Sequence, residues 1–141
     1  MLKKTITYTD YNGATRTEDF WFNLTEAEIT EMQLGVHGGF NAMLNKIIAA
    51  QDTPTLIKIF KDLVLDAYGE KSADGRRFVK EDRDGYRLAN DFKQTEAYSK
   101  LYMELATDAD AAAKFVNGIV PAEISKQMAE QMKKELPTAV N

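Results

Sequence analysis

Few side chains in this chain could run a reaction. It has one histidine, His37, and no cysteine. That removes thiolate chemistry, disulfides and any zinc site built on cysteines or several histidines. His37 lies in Gly35-Val36-His37-Gly38-Gly39, which reads as a helix end, where a cation favours the dipole. A Ser/His dyad would have to be built on it alone. The 22 acids always permit a carboxylate pair somewhere, but their spacing fails as a calcium loop. Such a loop needs oxygen ligands at its first, third and fifth places, a glycine sixth and a glutamate twelfth. Ala112 takes the fifth place after Asp108, and in Asp82-Arg83-Asp84-Gly85 the glycine arrives two places early. Asp108 and Asp110 read better as acids in the first turn of a helix capped by Thr107. No Walker, dinucleotide, nucleophile-elbow or zincin pattern occurs. Asn23-Leu24-Thr25 matches a glycosylation sequon, but Thr25 is accounted for as a helix cap. The expectation is no catalytic, cofactor-binding or metal residue and no cofactor.

Residues suited to holding a partner are easier to find. Four of the five arginines, Arg76, Arg77, Arg83 and Arg87, fall in one segment, and guanidinium forks suit carboxylates and phosphates. Glu70, Asp74, Glu81, Asp82, Asp84 and Asp91 are interspersed, which favours a solvated, self-paired surface over a contact segment. Ile124, Met128, Met132 and Leu136 recur every fourth residue between charged neighbours. That narrow stripe suits either docking on the chain's own core or a face for a partner helix, since methionine adapts to varied apolar surfaces. Trp21 points away from Phe20 and Phe22 on its strand, which places it under a loop or at an interface.

Composition bounds the rest. A chain of 141 residues makes about one domain with one core. Its 44% hydrophobic and 28% charged content is ordinary for a globular protein. A net charge of -4 argues against nucleic acid as a partner, because that affinity rests on lysines and arginines neutralising phosphates. MLKKTITYTDY carries no apolar stretch of a secretory signal, and no run approaches a spanning helix. The cytoplasm, with no membrane partner, is the expected location.

The elements that must position these residues follow from periodicity. Leu2 to Thr9 and Thr15 to Phe22 read as strands joined by Asp10-Tyr11-Asn12-Gly13, whose Asn-Gly pair tolerates positive φ. Thr25 with Glu28 forms a capping box, and Leu24 can staple to Ile29. That helix runs to Gly38-Gly39, and Phe40, Met43, Leu44, Ile47 and Ile48 mark a second. Thr53-Pro54 starts a third, with Leu56, Ile59, Phe60, Leu63, Val64 and Ala67 on one stripe and Gly69 as its left-handed stop. Residues 71–93 read as a charged, partly ordered excursion. Thr95 caps a fourth helix, Thr107 starts a fifth closed by Gly118, and Pro121 opens the last, with residues 137–141 frayed. The expected fold is α+β but predominantly α-helical: a β-hairpin over 2–22 followed by a compact bundle of about five to six helices over 25–136, all in one domain.

The hairpin leading into FNLTEAEITEM, the block IKIFKDLVLDAYGEKSADGRRFVK and the segment from Gln94 to Pro121 together resemble the tail assembly chaperones of long-tailed bacteriophages. The resemblance covers nearly the whole chain. It implies a protein that binds the tape measure protein, keeps that apolar helical rod soluble during tail-tube assembly, self-associates into a ring or helical oligomer, and is absent from the finished virion. It transfers no binding residue. Trp21 and the Ile124, Met128, Met132, Leu136 stripe are the candidate partner surfaces. Two alternatives are a head-tail or tail component retained in the particle and a nucleic-acid-binding regulator using Arg76 to Arg87.

Overall fold

The computed structural model of the protein describes residues 1–35 and 53–121. Strands β1 (Leu2–Thr9) and β2 (Thr15–Phe22) pair antiparallel from Leu2 opposite Phe22 to Thr9 opposite Thr15. Helices α1 (Glu26–Gly35) and α2 (Thr53–Ala67) follow, then strands β3 (Tyr68–Lys71) and β4 (Phe78–Val79). Helices α3 (Leu88–Phe92), α4 (Glu96–Thr107) and α5 (Ala109–Ile119) complete the described chain. The expected helical histidine region at His37, the helix of Phe40 to Ile48, and everything after Pro121 lie outside the described residues.

The predominantly helical bundle is overturned. The sheet continues past the hairpin into four antiparallel strands, ordered β1-β2-β3-β4, so five helices share the described fold with a real sheet and the architecture is mixed. The physical reason lies in β3. Tyr68-Gly69-Glu70-Lys71 has no strand pattern of its own, and it is extended because Trp21 and Phe22 offer it an edge opposite Gly69 and Tyr68. Gly69 is therefore a strand residue and not the left-handed end of α2. Positive φ among the described residues is confined to Gly13, Gly75 and Gly85.

Gly13 serves the β1–β2 turn, and Gly75 and Gly85 serve two turns in the charged excursion, which is ordered as β4, those turns and the short helix α3. Gly13, Gly75 and Gly85 donate to the carbonyls of Asp10, Ser72 and Asp82 at 3.0, 2.9 and 3.1 Å. Asp10 Oδ1 accepts the N–H groups of Asn12 and Ala14, and Asp82 Oδ1 those of Asp84 and Tyr86. In the middle turn the Ser72 hydroxyl accepts from the Arg77 N–H and donates to Asp74, which holds the Arg76 N–H. One device recurs: a short polar side chain curls the backbone and glycine takes the left-handed position.

The capping box forms as its spacing predicts. Thr25 Oγ1 accepts the Glu28 N–H at 3.1 Å while Glu28 Oε1 accepts the Thr25 N–H at 2.9 Å, and Leu24 and Ile29 are both buried. Thr95 caps α4 through the Tyr98 N–H. The cap of α5, however, is Asp108, which accepts from Asp110 and Ala111. Thr107 closes α4, its hydroxyl donating to the Met103 carbonyl. Gly118 lies inside α5, where Leu2 packs 3.0 Å from where a Cβ would stand.

The inward sheet face carries Ile6, Tyr8, Phe20 and Phe22. Phe22 is wholly buried, with the rings of Tyr68, Phe92 and Phe115 at 5.8, 5.8 and 5.2 Å in edge-on contact. Tyr68 stacks flat on Phe92 at 4.3 Å, and burial pushes its phenol up to about 12. Helices α2, α4 and α5 close the core with Leu63, Val64, Leu101, Leu105, Val116 and Ile119.

One polar knot locks the excursion to this core. The Lys80 ammonium donates to the carbonyls of Asn23 at 2.7 Å and Asp66 at 2.8 Å, and to Glu28 Oε2 at 2.5 Å. Arg87 donates to the Leu65 carbonyl at 3.2 Å and to Asp66 Oδ1 at 3.1 Å. Helix α2 has no basic residue in its last turn, so these two distant cations satisfy its orphan carbonyls and its dipole. Burial opposes ionisation of Glu28, but Lys80 and the Thr25 N–H outweigh it and its pKa falls below the ordinary carboxylate value. Stability from ionised Glu28 is therefore fully present above its unfolded pKa and lost as acid carries the pH through the lower folded one. Lys80→Met should destabilise the fold by about 1 to 3 kcal/mol near neutrality, at the lower end because Glu28 is partly solvated. Urea unfolding should show that cost shrinking by about pH 3, where the carboxylate is protonated in the unfolded chain. An equal cost at both pH values would remove the Glu28 contact from the account.

Candidate functional site

The outward face of the sheet is the surface least committed to the fold. Lys3, Thr5, Thr7, Thr17 and Asp19 alternate with the inward residues and are exposed. They satisfy one another sideways: Thr5 Oγ1 donates to Asp19 Oδ1 at 2.6 Å, and the Thr7 and Thr17 hydroxyls lie 2.9 Å apart. Trp21 is the large apolar exception and is half-buried. It stands opposite Lys3 on one side and Gly69 on the other. The Lys71 ammonium lies 4.3 Å from its ring centroid and that of Lys3 at 5.9 Å, within cation–π range. Among the described residues Trp21 thus stands on the outward sheet face between two cations.

Gly69 makes the neighbouring surface possible. A Cβ there would meet the Phe78 ring at 2.6 Å and the Val79 carbonyl oxygen at 2.7 Å, so the ring of Phe78 lies across the bare backbone beside Trp21. Lys80 approaches that ring to 5.8 Å on its way to the carbonyl knot. The result is a short aromatic strip, Trp21 and Phe78, bordered by Lys3, Lys71 and Lys80.

The four arginines separate into two kinds. Arg87 is held at the end of α2 and serves the fold. Arg76 and Arg77 sit at the β3–β4 turn and Arg83 at the next, all exposed. No salt bridge among the described residues engages their guanidinium groups. Arg77 acts on Asp74 through its charge and not by a direct contact, and turn groups engage Asp74 and Asp82 themselves. Asp74 holds Ser72 and the Arg76 N–H, which keep its pKa low, and Asp82 holds two turn amides. Of the acids weighed for calcium, Asp108 caps a helix and Asp82 holds turn amides; elsewhere Asp10 accepts from the Arg16 guanidinium at 2.6 Å, which lowers its pKa. No group of three or more potential metal ligands occurs among the described residues, and none of their helices is long and apolar enough to cross a membrane.

Ile124, Met128, Met132 and Leu136 lie outside the described residues, so Trp21 and the four arginines, Arg87 at the end of α2 among them, are the candidate site residues that can be placed. They are not brought together at one point: Trp21 belongs to the sheet face and the other three arginines to the turn tips. Sequence reasoning missed Lys3, Lys71 and Phe78 as neighbours of Trp21. Only the β2–β3 register creates that neighbourhood, and nothing in the local text of Lys71 announces it.

A family model described as phage tail assembly chaperone matches residues 1–140 of the chain. No curated protein and no solved structure shows significant similarity to it.

The packing at Gly69 is open to a direct check. Gly69→Ala forces the Phe78 ring and a backbone oxygen apart and should cost about 1 to 3 kcal/mol, the usual range for overpacking. Trp21 is the sole tryptophan, so its emission should change in the same variant. Unaltered melting temperature and emission would show that Phe78 does not lie on Gly69.

Proposed function

The chain belongs to the phage tail assembly chaperone family, and we propose that it binds the tape measure protein and keeps that long apolar helical rod soluble while the tail tube forms around it. It self-associates while doing so, acts in the host cytoplasm and leaves before the virion is complete. The role is one of binding, with no bond made or broken.

The observation that carries this reading is Trp21. A half-buried tryptophan on an otherwise threonine-lined sheet face has the character of a binding anchor, since tryptophan is enriched among residues that dominate association energies. Lys3 and Lys71 flank it, so the favoured partner is an apolar helix carrying acidic residues beside its stripe. Arg76, Arg77 and Arg83 extend the same preference toward acids along the turn tips. The stripe of Ile124, Met128, Met132 and Leu136 offers a second apolar face whose methionines adapt to varied helices. A holding protein that the growing tube must displace needs moderate affinity and fast release, which small separate patches supply better than one deep groove.

Co-purification with tape measure fragments tests the reading. Trp21→Glu should weaken capture by about tenfold or more, as loss of an interface tryptophan does, with circular dichroism and melting temperature kept. Met128→Asp combined with Met132→Asp should weaken it independently. Undiminished capture by both variants would remove these faces from the function.

A further inference from the structure

Strand β1 is the outermost strand on its side of the sheet and runs for eight residues without proline. In its antiparallel pairing with β2, Asp10 donates its N–H to Ala14 at the turn. The alternation that follows turns the backbone groups of Tyr8, Ile6, Lys4 and Leu2 toward β2 and those of Lys3, Thr5, Thr7 and Thr9 away from it. The side chain seen on this outer edge is Lys100 of α4, whose Nζ donates to the Thr7 carbonyl at 2.7 Å. A cleft of about 430 Å³ opens between the edge and α4, lined by Ile6, Thr7, Lys100, Leu101 and Met103. Met103 is 54% exposed there. An edge this long, rich in threonine and met among the described residues by the Lys100 side chain, is a template for another strand.

We propose that this edge takes β1 of a second copy of the chain, pairing antiparallel about a two-fold axis through Ile6 so that the sheet continues across the interface. The register is chosen by chemistry. Centred on Ile6, it sets Thr5 opposite the second copy's Thr7, Lys3 opposite its Thr9 and Lys4 opposite its Tyr8. Every outward amide and carbonyl from Lys3 to Thr9 then finds a partner, and no like charges face each other. Lys4, the charged residue on the inward side, is already matched by Glu104 at 3.2 Å within its own chain. On the axis Ile6 stands opposite Ile6, and the exposed Met103 of each copy is the apolar surface beside the new pairing. A foreign strand would need to reproduce this alternation, whereas a second copy carries it by identity. Lys100 acts as the removable cover: it occupies the Thr7 carbonyl in the monomer and yields it to the incoming Thr5 N–H.

The inference rests on the self-association proposed above and is independent of tape measure contact. Sedimentation of the full chain over rising concentration tests it. Thr7→Pro deletes an outward amide at a position where an edge strand tolerates proline. It should weaken association by about tenfold or more, since two interchain hydrogen bonds are lost per symmetric pair, with circular dichroism unchanged. Lys100→Ala uncovers the Thr7 carbonyl and should tighten association. A wild-type chain that stays monomeric throughout overturns self-association itself. An oligomer indifferent to Thr7→Pro overturns the β1 edge alone. If Thr7→Pro fails to fold, Lys100→Ala decides, and failure of that variant to tighten association overturns the edge.

Discussion

The ammonium of Lys80 ties three separate parts of the chain to one point. It reaches the carbonyl of Asn23 in the β2–α1 linker, the carbonyl of Asp66 at the end of α2, and the carboxylate of Glu28 that completes the α1 capping box. The same linker gives the Asn23 N–H to Ala67 and the Leu24 N–H to Ile119. Three helix ends and a strand end are therefore satisfied within one small volume. Buried backbone groups must find partners, and a helix that finishes without a cation of its own needs one from elsewhere. That requirement places the excursion beyond β3 where it is, which in turn sets the sheet at four strands.

The sheet then divides the protein's work between its two faces. The inward face is a ring cluster centred on Phe22 and closed by three helices. The outward face satisfies its hydroxyls laterally and leaves Trp21 and Phe78 among lysines. Acids that might have neutralised the arginines at the turn tips are drawn into the backbone instead, because a tight turn ending in a left-handed glycine needs an acceptor at its start. Building the turns with Asp10, Asp74 and Asp82 thus leaves Arg76, Arg77 and Arg83 available to a partner. Structure and binding character arise from the same side-chain assignments.

A protein of the phage tail assembly chaperone family must hold neighbours without trapping them. The described surface has the character this demands. Its apolar strip is short, its cations are set apart on turn tips, and its β1 edge is met by the Lys100 side chain.

Local text was enough for the hairpin, the Thr25–Glu28 capping box, the Thr95 cap and the apolar stripes of α2 and α4, because alternation, capping chemistry and helical spacing act over a few residues. It was enough too for the family resemblance, which runs through the whole chain. Gly69 was legible as a glycine but not as a strand residue, since its bare backbone matters only once Phe78 folds across it. Lys80 and Lys100 look like any lysines in charged runs, and their roles exist only where carbonyls from distant segments converge. Trp21 could be assigned a direction from its strand but not its neighbours, which the β2–β3 register supplies. The sequence by itself determined which strand residues turn inward and where α1 and α4 begin, because those depend on near neighbours. Tertiary structure alone decided the third and fourth strands, the cations at the end of α2 and the outer edge of β1, because each depends on hydrogen-bonding groups brought together from far apart along the chain.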